Sequence, residues 1–250
     1  MSTPLPDTRQ ADRTRVRRAL NASLGAVLLL AACFAAQQGF DYRFLTVTPW
    51  TPQGLTGLLT APLLHGSVEH ILANSIALLM LGTLAGTTYP KATLRALPLL
   101  WLGSGLGAWL LGQPNSHHLG ASGVTHGLAF LVFTLGLLRR DRAAIAAGML
   151  AFLFYGGMLL TILPREAGVS WESHLGGALG GVIAAFLFRR CDPQPPRQPY
   201  SWEIEEELAR EQGDAERAMY EPDSPRDVPV LWQQTDDEER GKVLPFRRRE

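Results

Sequence analysis

The sequence predicts an all-α membrane protein, a bundle of six membrane-crossing helices with both chain ends in the cytoplasm, and three observations lead there. The 250 residues are 46% hydrophobic and 18% charged, an average that suits one or two ordinary globular domains. Nearly all the apolar weight nevertheless lies before about residue 190, in blocks approaching the roughly 20 residues needed to cross a bilayer core. Basic residues gather in alternate connections between those blocks, and polar residues interrupt the same end of three of them.

The spans fall at about 20–38, 69–87, 93–112, 120–138, 143–163 and 171–188. Several are short or broken by Gly, His or Asn, which suits helices packed among other helices. Arg9, Arg13, Arg15, Arg17 and Arg18 precede the first span. Lys91 and Arg95 lie between the second and third, Arg139, Arg140 and Arg142 between the fourth and fifth, and Arg189 and Arg190 after the sixth. The other connections hold only Arg43 and Arg165. The positive-inside rule therefore puts residues 1–19 and the C-terminal segment in the cytoplasm.

The domain reading is a basic N-terminus (1–19), a membrane domain (20–190) and a tail (191–250). The tail opens on "CDPQPPRQPY", which cannot continue a helix. The stretch "SWEIEEELAREQGDAERAMY" suits a short acidic amphipathic helix, and the remainder reads as a solvated, largely disordered extension. A formal net charge of zero hides this division, because residues 1–190 carry a basic excess of roughly seven charges and the tail a matching acidic one. Nucleic-acid binding has no support. Cys33 and Cys191 lack disulfide or zinc spacing. The run "LLLAAC" ending at Cys33 has the form of a lipoprotein cleavage site, but a first membrane helix with basic flanks reads the same way, and Cys33 is taken as buried filler.

With this topology, the depth of each unusual residue can be read. The second, fourth and sixth spans run inward. Their outer ends carry His65, His70 and Asn74, then Ser122 and His126, then His174. Polar groups in a membrane cost on the order of 2–3 kcal/mol each, so agreement in depth across three helices points to a site facing the bundle interior.

The chemistry offered is a nucleophile and a base. Ser122 lies between Gly120 and Gly123, which permit a tight backbone path, and it opens a helix whose first N–H groups lack intrahelical partners. Such donors, joined by Asn74 and by His70 one turn earlier, suit an oxyanion. A serine hydroxyl needs a base, and His174 is chosen because Gly177 and Gly181, like Gly176 and Gly180, allow the sixth span to pack closely against the fourth. No acid is evident as a third member: Asp141 is at the cytoplasmic end, and Glu172, two residues from His174, faces elsewhere. A Ser-His dyad fits better than a triad.

Together, "GASG" opening one span, "HxxGxxxG" at His174, Gly177 and Gly181, and "HGSxxHILxN" in an earlier span resemble the rhomboid intramembrane serine proteases. The resemblance covers roughly residues 20–190. It implies a six-helix rhomboid-like core that cuts membrane-spanning, single-span protein substrates near the outer leaflet of the bilayer, without cofactor, metal or nucleotide. Ser122 would be the nucleophile and His174 the general base. His70, Asn74 and the Ser122 N–H would form the oxyanion hole, Gly120 and Gly123 would shape the turn, and His65 would be structural. Many members carry an aromatic residue where this chain has His126, and a histidine there resembles the rhombosortase branch. His126, one turn after Ser122, can stack on His174, hydrogen-bond to it or compete as the base. Ser173 stands where alanine is usual, and the Trp-Arg pair of some members' first outer loop is not identifiable.

Two rival readings remain open. One is a catalytically silent relative that binds membrane clients. The other is a metal protein liganded by His65, His70, His117, His118, His126 and His174, against which stand the absence of HExxH and the scarcity of acidic ligands at that depth. His117 and His118 read most simply as outer-loop residues. The compact architecture and the lipoprotein-like segment suggest a bacterial inner membrane.

Overall fold

The computed structural model describes residues 8–140, 145–146, 148–149, 160–164, 168–192 and 199–220. Helix α1 covers Thr8–Gln37, α2 Gly57–Thr60, α3 Val68–Thr88, α4 Pro90–Leu111, α5 Ser122–Arg139, α6 Trp171–Phe188 and α7 Ser201–Tyr220. Among the described residues no strand forms, and a single antiparallel bridge joins Val47 to His118. The predicted fifth span, 143–163, lies mostly outside the described residues.

Among the described residues, four helices are long and apolar enough to cross a membrane: Gln10–Gln37, Val68–Thr88, Pro90–Leu111 and Ser122–Arg139. Helix α6 matches the predicted sixth span in bounds but is not among them. Its first turn carries Glu172, Ser173 and His174, which lower its apolar character and are all buried. The first helix also begins well before the predicted residue 20. Hydropathy sees only an apolar core, whereas backbone hydrogen bonding continues through the arginine-bearing turns.

One compact unit runs through Gln194. Near its end, the two carboxylate oxygens of Asp192 accept the Lys91 and Ala92 N–H groups, both at 2.9 Å, at the first turn of α4. A carboxylate there satisfies orphan donors and meets the positive end of the helix dipole. The second unit holds α7, described by itself: an exposed helix with an Arg210–Glu206 pair at 3.7 Å, in the stretch expected to be helical.

The core of the first unit is built by α3, α4, α5 and α6, with Leu81, Leu100, Leu128, Leu131, Leu135 and Ala185 almost fully enclosed. Leu28, Leu94, Phe133, Leu137, Ile183 and Leu187 are exposed. Apolar side chains on the outside are what helices presented to lipid require.

Glycine sets the closest approaches. An added Cβ at Gly177 would fall on the Gly123 carbonyl, and one at Gly181 on the Gly127 carbonyl, so this face of α6 lies directly on α5. An added Cβ at Gly176 would fall on the Gly103 carbonyl, so the adjacent face lies on α4. The two glycine pairs thus serve two different neighbours, and α6 is held where its N-terminal turn meets that of α5.

Candidate active site

Ser122 is the first residue of α5. The chain reaches it through Gly120, whose φ of 114° is a conformation L side chains rarely adopt and whose N–H donates to the Ala61 carbonyl at 2.9 Å. An added Cβ at Gly120 would lie 2.7 Å from His70 Nε2 and 3.5 Å from Asn74 Nδ2. The turn therefore needs glycine twice over, for its backbone angle and for the close approach of two side chains from α3. Gly123 is equally constrained, since its Cβ would fall on Ser104 Oγ.

His174 enters from the first turn of α6, and its Nε2 accepts from Ser122 Oγ at 2.9 Å. The other ring nitrogen, Nδ1, lies 3.1 Å from both the carbonyl and the hydroxyl of Thr161. His126 stacks on His174 with ring centroids 3.9 Å apart and planes 12° apart. Its Nδ1 donates to the Ser122 carbonyl at 2.7 Å, and its Nε2 lies 3.0 Å from Thr161 Oγ1. Of the contacts open to His126 in the sequence, the structure shows stacking on His174, together with hydrogen bonds to Ser122 and Thr161.

His70 and Asn74 lie on one face of α3, whose N-terminus is capped by Ser67 accepting the His70 N–H. Asn74 is buried, and its Nδ2 has no hydrogen-bond partner among the described residues. A buried amide with nothing to bind is costly unless something else meets it. Asn74, His70, Ser122, His126, Thr161 and His174 all line one cavity of about 1210 Å³.

His65 is fully buried in the approach to α3, its ring edge-on to His70 at 5.1 Å. The Gln37 side chain from the end of α1 brackets its peptide, donating to the carbonyl and accepting from the N–H at 3.1 Å. Burial, reinforced by the nearby His70, pushes the His65 pKa down to about 4, so it is neutral at ordinary pH.

Two participants, Thr161 and His118, escape the sequence analysis. Thr161 sits in the stretch "TILP" at the end of the predicted fifth span, and an outward-running span would have set it level with the other polar groups. His118 is buried rather than simply a loop residue. Its backbone pairs with Val47, and its ring contacts Ser116 Oγ at 2.8 Å and Ser170 Oγ at 2.6 Å. Burial lowers its pKa, against the pull of the Glu172 carboxylate 3.9 Å away. Glu172 does turn from His174, toward Ser170 and His118. Cys33 is only half-buried, a correction to the buried position the sequence suggests. Among the described residues, no three His, Cys, Asp or Glu side chains converge as a metal site would require.

An all-helical bundle with membrane-length apolar helices and a serine hydrogen-bonded to a histidine defines the class. Within that class, a rhomboid domain model matches residues 52–191, and the chain belongs to the rhomboid family. It is 34% identical over 193 residues to an uncharacterized protein of Mycobacterium tuberculosis (strain ATCC 25618 / H37Rv), covering 74% of this chain and 80% of that one. An uncharacterized protein of Mycobacterium leprae (strain TN) is 37% identical over 141 residues, 53% of this chain and 56% of its own. A protein of Acanthamoeba polyphaga mimivirus named as a rhomboid protein is 26% identical over 132 residues, covering 50% and 70%. The family is in general one of intramembrane serine proteases.

Proposed function

We propose that this chain is an intramembrane serine endopeptidase that cleaves single-span membrane protein substrates near the outer leaflet of a bacterial inner membrane. The reading includes six spans, with the fifth at 143–163, and both termini cytoplasmic. It is supported most by one observation, the Ser122 Oγ to His174 Nε2 hydrogen bond of 2.9 Å in a cavity whose other wall carries an unpartnered amide.

Ser122 Oγ attacks the scissile carbonyl carbon while its proton passes to His174 Nε2. The carbonyl oxygen, now negative, is held by the Ser122 N–H, by Asn74 Nδ2 and by an N–H of His70. His174 returns the proton to the leaving amine as the C–N bond breaks, and an acyl ester remains on Ser122. Water then gives a proton to His174 and attacks the ester, releasing the new carboxyl end and restoring the serine. The backbone N–H contribution follows from Ser122 opening α5, where donors have no intrahelical acceptor.

The test is a cleavage assay in liposomes on a panel of single-span substrates. Ser122→Ala and His174→Ala are each expected to lower turnover by at least about a thousandfold, because dyad members act as a unit. Turnover surviving Ser122→Ala would sink the mechanism. No cleavage of any substrate by the wild type, together with no labelling by a serine-directed probe, is the outcome expected of a silent client-binding relative.

A further inference from the structure

Two hydrogen bonds join the segments that carry the dyad, and both have the same spacing. Ser122 Oγ meets His174 Nε2 at 2.9 Å. Four residues earlier on each segment, His118 Nδ1 meets Ser170 Oγ at 2.6 Å. The partners are 52 residues apart in both pairs, so the second bond joins the approaches to α5 and α6 in the register of the first.

Both ends of that second bond are anchored. The His118 N–H donates to the Val47 carbonyl at 2.9 Å, and its own carbonyl accepts the Val47 N–H at 3.0 Å. An added Cβ at Gly112, just past the end of α4, would lie 2.6 Å from His118 Nε2, so the ring is held against that turn. Ser116 Oγ donates to the Gln113 carbonyl at 2.6 Å and sits 2.8 Å from His118 Nε2. With its proton committed to a carbonyl, that hydroxyl offers only a lone pair, so Nε2 carries the proton of the neutral ring and Nδ1 accepts from Ser170. A doubly protonated ring would instead donate from Nδ1 to the same oxygen, and the contact holds in either state. At the other end, Ser170 Oγ accepts the Ser173 N–H at 3.4 Å and caps α6, one residue ahead of His174.

The glycine contacts do not do this work. Gly177 against Gly123 and Gly181 against Gly127 lie after the dyad on both helices, and they set how near α6 comes to α5. Such packing is short-range but not directional, and leaves sliding along the contact to be fixed by something else. We propose that His118 and Ser170 are positioning residues for the dyad, a clamp on the side away from the glycines that fixes the register of Ser122 against His174. Nothing is transferred through the clamp; it acts by geometry, to which reaction rates are steeply sensitive. Glu172 is the competing partner, its carboxylate 3.3 Å from Ser170 Oγ and 3.9 Å from His118 Nδ1.

Full-length protein in proteoliposomes is labelled with a fluorophosphonate, and the maximal rate is resolved from the apparent binding constant, per folded molecule and well below each variant's melting temperature. The side-chain amide of His118→Gln stands where Nε2 does, keeping Ser116 and losing Ser170. It is expected to lower the maximal rate at least about tenfold with the binding constant unchanged. The amide of His118→Asn stands where Nδ1 does and keeps Ser170, so its rate stays within about threefold of wild type. Ser170→Ala should be at least as slow as His118→Gln, and on that background the Asn and Gln variants should label equally, as partners in one bond do.

A side chain that merely fills space would not separate Asn from Gln in this order. A His118→Gln rate equal to wild type, or an Asn variant no faster than Gln, overturns the proposal. So does an Asn advantage that survives Ser170→Ala, which would make Glu172 the partner. The inference rests on the serine-protease reading, and the two fail differently. A wild type that does not label, or labelling that persists in Ser122→Ala, removes that reading and the clamp's role with it, whereas variants that all label Ser122 at the wild-type rate remove only the clamp.

Discussion

The two ends of α5 put polar groups to opposite uses. At its C-terminal end, Arg139 donates to the Asp192 carbonyl at 3.1 Å and lies over the Tyr89 ring at 5.3 Å, while the Asp192 carboxylate caps α4. Charges there are joined to partners that tie α4, α5 and the end of α6 together. At its N-terminal end, Ser122, His174, Asn74 and His70 line a cavity, and the Asn74 donor is unused among the described residues. One end uses its charged groups in contacts that hold the bundle, and the other leaves an amide donor and a serine–histidine pair facing a cavity. The difference separates architecture from chemistry within a single helix.

That separation can be broken most sharply by exchanging the expected effects. Ser122→Ala removes only a hydroxyl and is expected to leave the melting temperature in detergent within about 2 °C while abolishing cleavage, since catalytic groups are not there to stabilise. Asn74→Ala should come next, lowering kcat about a hundredfold with KM little changed, the signature of a donor engaged in the transition state. A raised KM at constant kcat would show instead that Asn74 binds substrate.

Asp192→Ala should do the reverse. Losing two charge-assisted bonds and a helix-dipole contact is expected to cost on the order of 1–3 kcal/mol of stability, measured as a lower melting temperature, with kcat per folded molecule unchanged. A variant as stable as wild type would mean that the cap is incidental.

The smallest effect is the response to acid. His65 is held neutral in the fold, with a pKa near 4 against an ordinary value of 6.5. Below about pH 6.5 the unfolded chain therefore binds a proton that the folded chain refuses, and stability falls as pH drops toward 4, by at most about 3 kcal/mol. Melting temperature measured from pH 7 to pH 5 should decline, and His65→Gln should flatten that decline. An unchanged slope would place the acid sensitivity elsewhere, with His118 the next group to examine because its burial acts in the same direction.

Much of the site was legible because its residues contradict their surroundings. A serine between glycines, an asparagine inside an apolar run and a histidine ahead of spaced glycines each cost too much in a membrane helix to be filler. Thr161 was not legible in this way. A threonine is tolerated in apolar helices because its hydroxyl can bond its own backbone, so it raises no contradiction, and its part depends on a stacked pair of rings brought from two other helices. His118 and Asp192 were hidden for another reason. One acts through pairing with Val47 and the other through the first turn of α4, and contacts between residues 71 and about 100 positions apart leave no local pattern. Helix α1 extends well ahead of the first predicted span because apolar content marks the stretch suited to lipid rather than the stretch that is hydrogen-bonded.

The central claim is that Ser122 is a nucleophile made reactive by His174. It is tested most directly by mass-spectrometric mapping of the fluorophosphonate adduct on the full-length protein in proteoliposomes, for the wild type and His174→Ala. The account predicts a single adduct on Ser122 in the wild type and a labelling rate at least about a hundredfold lower in His174→Ala. An adduct on any other residue, or equal labelling of Ser122 in both proteins, would contradict it.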